Sequence, residues 1–131
     1  MNTRRVSAVV LGVVCMWLAL LGTACVAGEN AEPGRAVLEK LLTATEANDY
    51  DSFVADGTDV FKAALTKQML AGVSGQLSPR MKKGYRCTYL GELSQRGSQV
   101  FLWKLAFKDA GDDTLARLVL KDGKVAGFWL Q

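Results

Sequence analysis

The side chains that could move protons or attack a substrate in this chain are its aspartates, its 3 Tyr and its 3 Cys, because the sequence contains no His. Without imidazole, Ser-His, Cys-His and His-metal sites are excluded. What remains is a carboxylate base working with a tyrosine donor, or a thiolate activated by another group. Asp109, Asp112, Asp113 and Asp122 stand among turn formers, and Asp49, Asp51, Asp56 and Asp59 flank the ends of helical patterns. Carboxylates in such places cap helices or accept from backbone N–H groups, which keeps them ionised and weakly basic. The neighbours Asp112 and Asp113 have no third ligand at a coordinating spacing, so a solvated turn accounts for them. No phosphate loop, dinucleotide fingerprint or paired-cysteine motif occurs. No cofactor, no metal and no catalytic residue is therefore expected.

The cysteines lead to the N-terminus. Arg4 and Arg5 are followed by no charged residue until Glu29, and Ala8 to Leu21 is almost wholly aliphatic before the small residues Gly22 to Gly28. A basic start, an apolar stretch and a small-residue exit form a secretory signal peptide, assigned to residues 1–27. Leu21-Gly22-Thr23-Ala24-Cys25 resembles a lipobox, with Gly22 where Leu is expected, which makes Cys25 a lipidation candidate. An uncleaved membrane anchor and twin-arginine export are the other readings of this segment. Cys15 leaves with the signal, and Cys25 is removed or lipidated. Cys87 then stands alone in the mature domain, no internal disulfide forms, and with no His nearby in sequence the thiol reads as a small buried hydrophobe.

The composition sets further bounds. With 131 residues, 50% hydrophobic and 22% charged with 2 Pro, the chain holds one globular domain and is not disordered. Setting residues 1–27 aside leaves 14 basic against 13 acidic side chains, so there is no electrostatic case for nucleic acid. Arg80, Lys82, Lys83 and Arg86 form a positive cluster, read as a solvated helix end or as a patch that meets an acidic partner or anionic lipid.

Residues 28–34 read as a tether, and residues 35–131 as the folded domain. Val37, Leu38, Leu41 and Leu42 recur at helical spacing and predict an amphipathic helix from Arg35 that ends at Asn48-Asp49. Tyr50, Phe53 and Val54 predict a short second helix ending at Asp56-Gly57. Val60, Phe61, Ala64, Leu65, Met69, Leu70, Val73 and Leu77 then carry one apolar face that weakens at Ser78-Pro79. After Gly84 the period becomes two, with strands expected at Tyr85 to Leu93, Val100 to Lys108, Leu115 to Lys121 and Lys124 to Leu130. Arg96-Gly97 and Asp122-Gly123 read as short turns between adjacent strands, so the sheet is expected to be an antiparallel meander and the fold class α+β. Pairing outward from Asp122-Gly123 puts Ala116, Leu118 and Leu120 on the core face with Val125, Gly127 and Trp129. Phe101, Trp103, Leu105 and Phe107 face the same way. For the first strand, a strict two-residue turn points Arg86 inward, and one residue of slip turns Tyr85, Cys87 and Tyr89 inward instead; the second register buries the better residues.

This order, with the segment Asn48-Asp49-Tyr50-Asp51-Ser52-Phe53 and the final Asp122-Gly123-Lys124-Val125-Ala126-Gly127-Phe128-Trp129-Leu130, resembles the small NTF2-like (cystatin-like) domains of exported bacterial proteins over residues 35–131. The resemblance implies N-terminal helices packed on a curved four-stranded antiparallel sheet, a cone with a pocket at its wide end, and in many relatives a homodimer formed through the sheet. Family enzymes use a His-Asp pair or an Asp base with a Tyr donor. The first is impossible here, and the second needs an Asp on the inner face.

Phe61, Arg86, Phe101, Trp103 and Trp129 are the candidates to line such a pocket. The leading expectation is an exported, periplasmic or secreted, non-catalytic domain that binds a small apolar molecule or a partner protein of the cell envelope. Membrane contact is expected only through a lipid on Cys25. An Asp- and Tyr-dependent isomerase or lyase and a structural dimerisation module are the alternatives.

Overall fold

The computed structural model describes residues 33–131. The expected signal peptide, most of the expected tether and the lipidation candidate Cys25 lie outside these residues. Four helices precede four strands: α1 (Arg35–Ala47), α2 (Tyr50–Val54), α3 (Asp59–Ala64), α4 (Lys67–Lys82), β1 (Tyr85–Gln95), β2 (Ser98–Phe107), β3 (Thr114–Lys121) and β4 (Lys124–Leu130). The strands form one antiparallel sheet in the order β1-β2-β3-β4, so the expected α+β meander is the observed one.

Local chemistry sets the helix ends. Gly34 caps α1 at a φ of 77°, which a side chain rarely adopts, and a Cβ there would stand 3.0 Å from the Phe101 ring. At the other end Asn48 closes α1 in the left-handed region. Asp49, Thr58 and Thr66 then accept from the backbone N–H groups of Ser52, Phe61 and Met69 and start α2, α3 and α4. The Thr66 cap corrects the sequence reading: the apolar run from Val60 to Leu77 is two helices with a break at Leu65-Thr66. A second correction is that α4 continues through Pro79 to Lys82. Proline there removes one ladder bond near the helix end, where the following turn still closes on Arg80 and Met81.

The core lies between the helices and one face of the sheet. Leu38, Leu41 and Leu42 of α1 meet Phe101, Trp103, Leu105 and Phe107 of β2, Ala116 and Leu118 of β3 and Val125 of β4. The buried stripe of α4 is Leu70, Ser74, Ser78 and Met81. Its two serines are small enough for close approach to α1, and the Ser78 hydroxyl donates 2.8 Å to the Glu46 carbonyl. Met69 and Val73, expected on the core face, are instead 53% and 40% exposed.

Both hairpin turns use two left-handed residues, with φ of 51° and 76° at Arg96-Gly97 and again at Asp122-Gly123. Each adjoining edge strand then carries one extra residue. In β1, Tyr89 faces Trp103 and Gly91 faces Leu102, which leaves Leu90 unpaired in a bulge. That bulge supplies the slip that turns Tyr85, Cys87 and Tyr89 toward the core and leaves Arg86 exposed. In β4, Leu120 faces Val125 but Val119 faces Gly127, so Ala126 is the extra residue. From that point the faces exchange. Phe128 and Leu130 point inward opposite Leu118 and Ala116, and Trp129 points outward opposite Arg117. The expected core position of Trp129 is thereby corrected: the Arg117 guanidinium lies 5.1 Å from the centre of its ring, which is 47% exposed.

Candidate functional site

A groove of about 350 Å³ opens between α3, the start of α4 and the edge of β4. Its existence follows from the two features just described. The break at Leu65-Thr66 separates α3 from α4, and the bulge at Ala126 lays Phe128 and Leu130 along the opposite wall. Phe53 and Phe61, stacked with centroids 6.0 Å apart, form the floor with Leu70. Val60, Met69, Val73 and Trp129 stand at the rim, and these large apolar side chains are between 40% and 78% exposed. A contiguous exposed apolar rim around a cavity is uncommon on a protein surface.

The electrostatics of the groove are simple. None of its lining side chains ionises, and the hydroxyl of the one polar lining residue, Thr45, already donates 2.8 Å to the Leu41 carbonyl. Several aspartates are engaged elsewhere. Asp49 caps α2, and the Ser52 hydroxyl and N–H hold its carboxyl below the usual range. Asp56 pairs with Lys40 at the surface. Asp109 takes two hydrogen bonds from Arg80, at 2.7 and 3.1 Å, which together with the Gly111 N–H lower its pKa to about 2. The same guanidinium lies 4.1 Å from the centre of the Phe107 ring and donates to the Asp112 carbonyl, so Arg80 fastens the β2–β3 loop to the end of α4. Among the tyrosines, Tyr50 donates to the Leu65 carbonyl, and burial pushes the Tyr85 phenol up. The groove can therefore desolvate an apolar group; its lining side chains offer no acid, base or nucleophile. Among the described residues no cluster of His, Cys, Asp and Glu could hold a metal ion.

The sequence-derived candidates separate in space. Phe61 and Trp129 both border the groove. Phe101 and Trp103 are sealed in the core at 1% and 0% exposure and do not line the groove. Arg86 sits on the outer side of β1 and borders a second cleft, of about 420 Å³, with Tyr85, Ala106, Phe107 and Lys108. Sequence reasoning missed Val60, Met69 and Val73, whose spacing makes them look like core. Their only distinguishing signal was the Thr at position 66, an N-cap in the middle of the apolar run.

Comparison with known proteins places little beside this geometry. No family model matches the chain, and no curated protein matches it. Among solved structures, an uncharacterised cystatin-fold protein from Novosphingobium aromaticivorans covers 73% of this chain and 95% of its own, at 12% identity and a TM-score of 0.37.

Proposed function

We propose that this chain is an exported, NTF2-like binding module without catalytic machinery, whose groove takes an apolar ligand of the cell envelope: a small apolar molecule or the apolar part of a partner protein. The observation that carries the proposal is a cavity with wholly unionised lining beneath the exposed rim of Val60, Met69, Val73 and Trp129. Its volume equals about a dozen waters at roughly 30 Å³ each, and releasing such water from apolar walls favours an apolar occupant. The export part of the proposal rests on the N-terminal signal pattern, with Cys25 as the residue that would carry a lipid.

Titration of the purified chain with the neutral apolar fluorophore N-phenyl-1-naphthylamine tests the binding part. Saturable binding at about 1–100 µM is expected, the range open to a small ligand held by apolar contact. Met69→Glu is the informative variant. It puts a charge on the rim while completing a Thr66-x-x-Glu capping box, so the helix should be held at least as well as before. Loss of binding in a folded Met69→Glu protein supports the reading, and undiminished binding refutes it.

A further inference from the structure

The backbone along the groove is as informative as its side chains. Leu115 and Gln131 exchange both backbone hydrogen bonds, at 2.6 and 3.0 Å. In an antiparallel ladder bonded pairs alternate with non-bonded ones, so Arg117–Trp129 is the next bonded pair and Ala116–Leu130 and Leu118–Phe128 are not. The N–H and C=O groups of Phe128 and Leu130 therefore point away from β3, along the groove wall. Across the bulge at Ala126 the outward position passes to Val125, and there the edge is already paired: Val125 donates to the Asp56 carbonyl and accepts from the Thr58 N–H, both at 2.8 Å. Among the described residues nothing continues that pairing to Phe128 and Leu130. The edge is covered at its start and open where the groove lies.

Charge adds a second, independent observation. Lys62 adjoins the lining residue Phe61, Lys67 lies 5.8 Å from the centre of the Tyr50 ring at the start of α4, and Arg117 covers Trp129. None of the three has a carboxylate partner among the described residues, whereas Lys40, Arg80 and Lys104 each have one. Asp59 is the acidic residue beside the lining Val60.

We infer that the open edge of β4 and its groove take an extended peptide segment with apolar residues at alternate positions and acidic flanks, which joins the sheet as a fifth strand. The inference rests on the groove being a binding site and names the class of partner it receives. Successive outward groups of an edge strand repeat every two residues, about 6.8 Å, which is the spacing of another strand and of no acyl chain. Alternate side chains of the added strand enter the cavity, and the flanking carboxylates meet Lys62, Lys67 and Arg117.

A short fluorescent peptide, Asp-Val-Thr-Val-Thr-Val-Asp, blocked at both ends, tests this by anisotropy with the purified chain. Two further versions carry backbone N-methyl groups on the odd or on the even amides, and another replaces both Asp by Lys. Pairing with a single edge predicts that one methylated version binds at least about tenfold more weakly while the other keeps its affinity. The Lys-flanked version should also lose about tenfold, and bound N-phenyl-1-naphthylamine should be displaced. Equal binding of both methylated versions overturns strand addition. Binding of the dye without the peptide overturns it too and leaves the groove as a small-molecule site. Binding of neither removes both readings. A dimer by light scattering that excess peptide does not dissociate overturns the inference in favour of a second copy on the edge.

Discussion

Replacing Trp103 by Phe should be nearly neutral, although Trp103 is the largest fully buried side chain of the domain. Its ring lies 5.8 Å from that of Tyr89 and 6.0 Å from that of Phe101, and the Gly34 backbone closes over it. Among the described residues the indole N–H nevertheless meets no hydrogen-bond acceptor. A buried donor left unpaired costs about 1–3 kcal/mol. Removing it with the five-membered ring leaves a cavity of about one water, roughly 30 Å³. At about 24 cal/mol per Å³ that cavity costs about 0.7 kcal/mol, with a further ~1 kcal/mol for lost apolar transfer. The opposing effects nearly cancel, so Trp103→Phe should change stability by less than about 1 kcal/mol. Trp103→Ala should cost about 3–5 kcal/mol, since no such cancellation occurs when the whole ring leaves. Urea unfolding followed by far-UV circular dichroism separates the two, and 1 kcal/mol moves the Tm of a domain of this size by about 4–8 °C. A loss above about 2 kcal/mol for the Phe variant would mean that the N–H has a partner. A loss near zero for the Ala variant would mean that β2 does not face the core.

Three other outcomes follow from the same structure. Thr66→Ala removes the cap between α3 and α4 and should cost about 0.5–2 kcal/mol in urea unfolding, and should weaken dye binding because it loosens the groove wall. Asp109 is held at about 2 by Arg80 and Gly111 against an ordinary value near 3.8. Because its folded pKa is the lower one, its contribution is present above pH 4 and is lost as pH falls from about 4 to 2; Asp109→Asn should flatten the acid limb of stability in that window. The proposed export requires that intact mass of the protein expressed in its full length place the N-terminus between Cys25 and Gly28, with a lipid increment if Cys25 is modified, and a retained Met1 in membrane fractions refutes processing.

How much of this was legible in the sequence depended on whether one residue more or less mattered. Helix α1 and the two hairpin turns were readable because their signals, a 3.6-residue apolar period and a pair of left-handed residues ending in Gly, are local and redundant. The bulges were not readable as such. Leu90 and Ala126 carry no signature of their own beyond the strand-interior glycine that follows each, Gly91 and Gly127, yet each exchanges the faces of everything beyond it in its strand. In β1 burial preference arbitrated correctly, because Tyr85, Cys87 and Tyr89 outweigh Arg86 as inward residues. In β4 it could not, since Phe128 and Trp129 are adjacent and both suit a core. The groove shared that fate. Val60, Met69 and Val73 continue the core pattern on paper, and only the break at Thr66 puts them on a rim. Phe61 was found because large aromatics border cavities as readily as they fill cores.

The central claim is that the apolar groove between α3, α4 and β4 is the binding site. Its most direct measurement is an amide ¹H–¹⁵N titration of the purified chain with N-phenyl-1-naphthylamine. The amides of Phe61, Leu65, Met69, Val73 and Gly127 to Leu130 should shift together and saturate at one stoichiometry, while those of Arg80, Arg86 and Gly111 stay fixed. Shifts centred on Arg86 and Phe107, or spread without saturation over the sheet, would contradict it.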